Sequence, residues 1–205
     1  MNTTAEGRKQ LSIDDLRKRL AGSPMVQAFE EILLAGSACE QMKGVGDFAQ
    51  YERAWRDFLA RIERAWNKIE AATAASSSSN WPTVKTEIER ARSSDPLLVY
   101  IRQARNSDEH SIQNVAVDWE PNLHAAQVGR QVTLTWSQWD RPLLPVTNRG
   151  VTYNPPRSHL GQSFEHLLGK GKSEARIVAD LAMAYYVEVF NEVLNKVVGL
   201  PSRSA

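Results

Sequence analysis

The chain has 205 residues, 42% of them hydrophobic, with 25 basic and 24 acidic side chains that leave a formal charge of +1. That balance is enough for one packed domain and excludes global disorder, and it lacks the strong positive charge of proteins that hold nucleic acid by bulk electrostatics. A single cysteine, Cys39, excludes an internal disulfide and any multi-cysteine zinc site. The polar start Met1-Asn2-Thr3-Thr4-Ala5-Glu6 has no signal-peptide character, and no apolar run approaches the roughly 18 to 20 residues of a membrane span. A soluble cytoplasmic protein with no membrane contact is expected.

The chain reads as a single domain over 1–205, mainly α, in three parts. The first, about 8–112, is helical. Ser23-Pro24 pairs an N-cap with a proline suited to the first turn, and Val26, Phe29, Ile32 and Leu33 then recur at three- and four-residue steps. A longer helix is expected from about Phe48 to Ala75, with Phe48, Tyr51, Trp55, Phe58, Leu59, Ile62, Trp66 and Ile69 on its buried face. Its other face carries Arg53, Arg56, Asp57, Arg61, Glu63, Arg64 and Lys68. Ser76-Ser77-Ser78-Ser79-Asn80-Trp81-Pro82 breaks the pattern, and a short helix follows over about Val84–Ala91. Ser94-Asp95-Pro96 opens another helix towards His110, burying Leu97, Leu98, Ile101 and Ala104.

The second part, about 113–170, is a β and loop insertion. Gln131-Val132-Thr133-Leu134-Thr135-Trp136 alternates polar and β-branched or apolar residues as a strand does, and Val115–Trp119 is its candidate partner. Four prolines and a glycine between Arg141 and Pro156 predict a loop with little regular structure. The last part is a helix over about 173–198, with Ile177, Leu181, Ala184, Tyr185, Val189, Val193 and Val197 inward and Gly199-Leu200-Pro201 as its stop. Residues 121–176 hold seven Lys or Arg against three acids, a local charge of +4, beside Trp136, Trp139 and Tyr153. Those rings are suited either to stacking on bases or to packing the insertion onto the bundle.

The densest reactive run is Arg102-Gln103-Ala104-Arg105-Asn106-Ser107-Asp108-Glu109-His110, at a helix end. Arg105 sits at the edge of the apolar stripe, where its charge needs water, an acid or a partner surface. Arg105 and His110 lie five residues apart, about 140° around a regular helix, so they converge on one ligand only if the helix unwinds or two copies meet across a two-fold axis. The simpler assignment is an i,i+4 pair of Arg105 with Glu109 and a helix C-cap by His110.

Arg105-Asn106-x-x-x-His110, an Arg-x4-His element with a polar residue after the arginine, resembles the HEPN superfamily. The resemblance covers this element and the helical frame, and the β insertion lies outside the usual bundle. It implies an antiparallel helical bundle, a homodimer with the Arg and His of both protomers lining an interface cleft, and metal-independent cleavage of single-stranded RNA. Many such proteins are toxins or defence effectors with an antitoxin or defence partner. Arg105 and His110 carry over as the catalytic pair and Asn106 as the polar neighbour, with Arg102 positioning the strand and Asp108 and Glu109 orienting the pair. Ile112 stands where one antitoxin-linked subgroup carries a tyrosine. A neutral histidine near its ordinary pKa of about 6.5 can move the ribose 2′-hydroxyl proton, and a guanidinium matches phosphate oxygens. The alternative is a HEPN-like module that binds RNA, a nucleotide or a protein without catalysis.

Asn154-Pro155-Pro156-Arg157-Ser158-His159-Leu160-Gly161 places Arg157 and His159 on a stiff loop, candidates for substrate binding at the cleft. No His-x3-His or His-Glu-x-x-His spacing supports a metal, and neither Gly44-Val45-Gly46 nor Gly169-Lys170-Gly171-Lys172-Ser173 has the spacing of a phosphate loop. No cofactor is expected.

Overall fold

A computed structural model describes residues 13–44, 48–74, 78–110, 122–128, 131–137, 143–167 and 174–198. The side chains of 44, 48, 108–110, 122–137 and 198 lie outside the description. The described protein is mainly helical, with small β-hairpins between its fifth and sixth helices.

Helix α1 (Ile13–Leu20), which no sequence signal singled out, precedes a turn at Gly22, whose φ of 81° is unstrained only for glycine. Ser23 Oγ then accepts the Met25 N–H at 3.2 Å as α2 (Met25–Gly44) begins. Helix α3 (Phe48–Ala74) shares its largest face with α2. Every side chain of the expected α3 stripe that is described, from Tyr51 to Ile69, is buried, and Trp55, Phe58, Ile62 and Ile69 are fully so. Phe29 of α2 stacks on Phe190 at 5.8 Å, and buried Glu31 bridges to Arg61 at 3.1 Å and Lys68 at 2.9 Å. Burial pushes the Glu31 carboxyl up, but the bonds from Lys68 and Arg61 outweigh it and hold the carboxyl below its ordinary range.

Helix α4 (Trp81–Ser94) starts three residues earlier than expected, because Pro82 falls in its first turn, where no N–H is required. Helix α5 (Pro96–His110) buries Leu97, Leu98, Ile101 and Ala104 as the pattern predicts, and adds Tyr100. Helix α6 (Ala175–Val193) ends in a π-turn over Leu194–Val198. Its buried face is rotated from the expected one. Val178, Ala179, Ala182, Tyr186 and Phe190 join Tyr185, Val189 and Val193 inside, while Ala184 is exposed and Ile177 and Leu181 are half-buried. The helix is apolar on more than one side, so periodicity does not choose between faces. The face that is buried carries the small residues Ala175, Ala179 and Ala182, which allow close helix packing.

The insertion departs furthest from expectation. Strand β2 (Gln131–Ser137) pairs antiparallel with β1 (Asn122–Val128), from Asn122↔Ser137 to Val128↔Gln131. The expected partner, Val115–Trp119, lies outside the described residues, and the register goes to the segment only Gly129-Arg130 away in sequence, the shortest closure available. The expected loop over 141–156 contains a hairpin, β3 (Val146–Asn148) with β4 (Val151–Tyr153). Its two turn residues, Arg149 at φ 49° and Gly150 at φ 78°, have the left-handed backbone that a tight two-residue hairpin demands. The prolines flank this hairpin and do not interrupt it. A second small hairpin pairs β5 (Ser158–His159) with β6 (Gln162–Ser163) through Leu160 and Gly161, also at positive φ, before a 3-10 turn at Glu165–Leu167.

Candidate functional site at the end of helix α5

Helix α5 is fixed at its start by Asp95. One carboxylate oxygen accepts the N–H groups of Leu97 and Leu98 at 3.1 and 3.0 Å and faces His159 Nδ1 at 3.0 Å; the other accepts the Leu160 N–H. Burial pushes this carboxyl up, but the bonds from His159 and the Leu160 and Leu98 amides prevail and hold it below its ordinary range. The His159 ring also meets Tyr185 edge-on at 5.7 Å.

Further along, a seam at i, i+3 and i+7 stitches the β3–β4 hairpin to the helix. Tyr100 Oη donates to Leu144 O at 2.6 Å, Asn148 Nδ2 donates to Gln103 Oε1 at 2.7 Å, and Ser107 Oγ donates to Thr147 O at 3.1 Å. Leu143 and Val146 are buried beside it. Gln103 and Ser107 are buried polar residues, and these bonds to the hairpin offset their lost hydration.

Docking the hairpin creates a cleft of about 550 Å³ at the C-terminal half of α5, lined by Arg102, Gln103, Asn106, Asn148, Arg149 and Tyr153. Arg102 and Asn106, four residues apart, present to it from one helix face, and Arg149 faces them from the hairpin turn. Arg102 also lines a second cleft of about 530 Å³ with Trp66, Glu89, Arg90, Arg92 and Ser93. There Arg92, almost fully buried, pairs with Glu63 at 2.6 Å and lies 4.5 Å over the Trp66 ring. Among the described residues, Arg90, Arg102 and Arg149 pair with no carboxylate.

Of the residues expected to act, Arg102 and Asn106 meet at the first cleft. Arg105 is half-buried on the adjoining face, its Nη1 donating to Asn106 Oδ1 at 3.3 Å, and does not line the cleft. Asp108, Glu109 and His110 complete the helix, with side chains outside the described set. Arg157 and His159 are not brought to this end. Arg157 pairs with Glu165 at 3.3 Å on the surface, and His159 is bound to Asp95 at the start of α5, about 20 Å along the axis from His110. The reason is capping: the Asp95 carboxylate collects the β5–β6 turn at the helix N-terminus. Tyr153, picked out as a stacking ring, does line the cleft; Trp136 and Trp139 fall outside the side-chain description.

Gln103 falls within the reactive run and Arg149 within the basic insertion, but the sequence assigns no role of its own to either or to Asn148. The usable signal is the repeat Val-Thr-Asn, Arg-Gly, Val-Thr-Tyr, a two-residue turn between matching β-prone triplets. Among the described residues, no three His, Cys, Asp or Glu side chains gather as a metal site requires, and no helix is long and apolar enough to cross a membrane. No family model, curated protein or solved structure matches the chain.

Proposed function

We propose that the protein is a HEPN-like endoribonuclease that cleaves single-stranded RNA without a metal, as a homodimer in which Arg105 and His110 of both copies face one strand. The observation that carries this reading is the cleft itself. The helix end bearing the Arg-x4-His element opens onto a polar cavity with two guanidinium groups, side-chain amides and a tyrosine ring, a set suited to phosphate, base edge and base face.

In the proposed reaction, His110 takes the 2′-hydroxyl proton as that oxygen attacks the adjacent phosphorus. The bond to the 5′-oxygen breaks, and the leaving oxygen receives a proton from the second copy's histidine. A 2′,3′-cyclic phosphate and a 5′-hydroxyl result. Arg105 neutralises charge on the non-bridging oxygens, where a fixed guanidinium is worth most. Arg102 and Asn106 hold the strand. A role as a toxin or defence effector, restrained by an antitoxin or other partner, follows from the same resemblance.

One observation favours the second reading, a HEPN-like module that binds RNA, a nucleotide or a protein without cleaving it: Arg105 is turned to Asn106 and away from the cleft lining. The two are separated by incubating the protein with single-stranded RNA in EDTA beside His110→Ala and Arg105→Ala. Cleavage by wild type alone, leaving cyclic-phosphate ends, is expected. Equal residual cleavage by all three proteins, or none by a folded dimer across varied RNA sequences, would sink the nuclease reading.

A further inference from the structure

We infer that the two clefts sharing Arg102 are stations on one track for the phosphodiester backbone of single-stranded RNA, running from Arg149 through Arg102 to Arg90. The RNA-cleaving reading supplies the identity of the anion; the course of the track comes from the side chains.

Arg102 lines both cavities, so the two adjoin at its side chain. Arg149, Arg102 and Arg90 stand at the start, middle and end, and among the described residues none has its charge neutralised by a carboxylate. The remaining charges of the second cleft are already committed. Arg92 is held by Glu63 at 2.6 Å and by the Trp66 face, so it shapes the wall and offers little net charge. Glu89 faces Lys85 at 3.5 Å, which limits its repulsion of an anion. The hydroxyls of Thr86 and Ser93 donate to the carbonyls of Pro82 and Arg90, leaving recognition to the guanidinium groups.

One further feature points to a nucleotide chain in preference to a small anion. Tyr153, half-buried on β4, lines the first cleft and supplies a ring on which a base can stack. Arg149 holds a left-handed φ of 49° because the two-residue β3–β4 turn demands it. The turn directs that arginine into the cavity opposite Arg102.

The test is fluorescence anisotropy of a labelled oligouridylate with the full chain carrying His110→Ala, titrated over a range of KCl, with cleavage by the His110 protein measured in parallel. Each phosphate neutralised on a single strand contributes about −0.7 to the slope of log affinity against log salt, so three arginines contribute about −2. Arg90→Ala, Arg102→Ala and Arg149→Ala are each expected to reduce the slope by about 0.7, and Arg102→Lys to preserve it. Tyr153→Leu is expected to weaken binding about tenfold with the slope unchanged. Arg17→Ala on α1 is the control, with circular dichroism confirming each fold. Binding and slope in Arg90→Ala and Arg149→Ala equal to those of the control would overturn the track, even if His110→Ala abolished cleavage. The expected slopes without cleavage by the His110 protein would uphold the track and remove the nuclease.

Discussion

Replacing Asp95 by alanine removes every side-chain bond that fixes the start of α5. Two of its four bonds are to the helix N-cap amides of Leu97 and Leu98, whose loss costs about 1 kcal/mol and up to about 2 in well-ordered hosts. The other two tie the β5–β6 turn through the Leu160 N–H and His159 Nδ1, which carries the proton because a carboxylate can only accept. Bonds to an ionised group are worth about 1.5–3 kcal/mol each in favourable settings. Leu160 is exposed, and its amide recovers water once released, so the lower end of that range applies to it. The sum is about 4 kcal/mol, which for a chain of this size lowers Tm by roughly 8–16 °C.

The pH dependence has a definite sign. A carboxyl held below its ordinary value in the folded state contributes stability that is complete above the unfolded value of about 3.9 and is lost as pH falls through the lower folded value. The gap between wild type and Asp95→Ala therefore holds from neutral pH down to about 4 and closes below it. Asparagine is no remedy, since one carboxylate oxygen becomes an NH2 group and each oxygen now faces an N–H donor. Urea denaturation followed by circular dichroism at several pH values measures both effects. A loss under about 1 kcal/mol at pH 7, or a gap that widens on acidification, would refute the assignment of Asp95 as the clamp.

Glu63→Ala leaves Arg92 buried against Trp66 without its carboxylate and is expected to cost about 3 kcal/mol, more than Arg92→Met, which removes the charge and keeps the stem; equal losses in thermal melts would contradict this. Burial first, and then the nearby Asp180 carboxylate, push the Cys39 thiol up to about 12. A thiol-reactive disulfide reagent at pH 8 should label it only after unfolding, so rapid labelling of the native protein would show that the α2–α6 packing around it opens.

Periodicity was a sufficient guide where one helix face is apolar and the other charged. In α3 the arginines and acids opposite Trp55, Phe58 and Ile62 leave only one face to bury. It failed for α6, where Ile177 and Leu181 compete with Val178 and Ala182 on hydrophobicity alone. The docking of the β3–β4 hairpin onto α5 was hidden for a different reason. Proline frequency is a local property, whereas this hairpin is held by Tyr100, Gln103 and Ser107 from forty or more residues earlier in the chain. Long-range polar pairing of that kind has no signature in a window of neighbouring residues.

The same contrast explains which part of the candidate site was legible. Arg102 and Asn106 share a helix face by spacing alone, so their meeting at one cleft follows from a period of 3.6 residues. The opposite wall, Asn148 and Arg149, exists only because Gln103 and Ser107 are buried under the hairpin with their hydrogen bonds satisfied there. Residues that a sequence reader would set aside as helix filler thus decide where the second guanidinium stands. Arg157 and His159 illustrate the converse. Their residue types suit phosphate chemistry, but Asp95 captures the His159 ring and the Leu160 amide at the opposite end of α5. With one end of the helix committed to capping and hairpin attachment, it is in the C-terminal half that, among the described residues of α5, a cationic side chain, Arg102, lines a cavity.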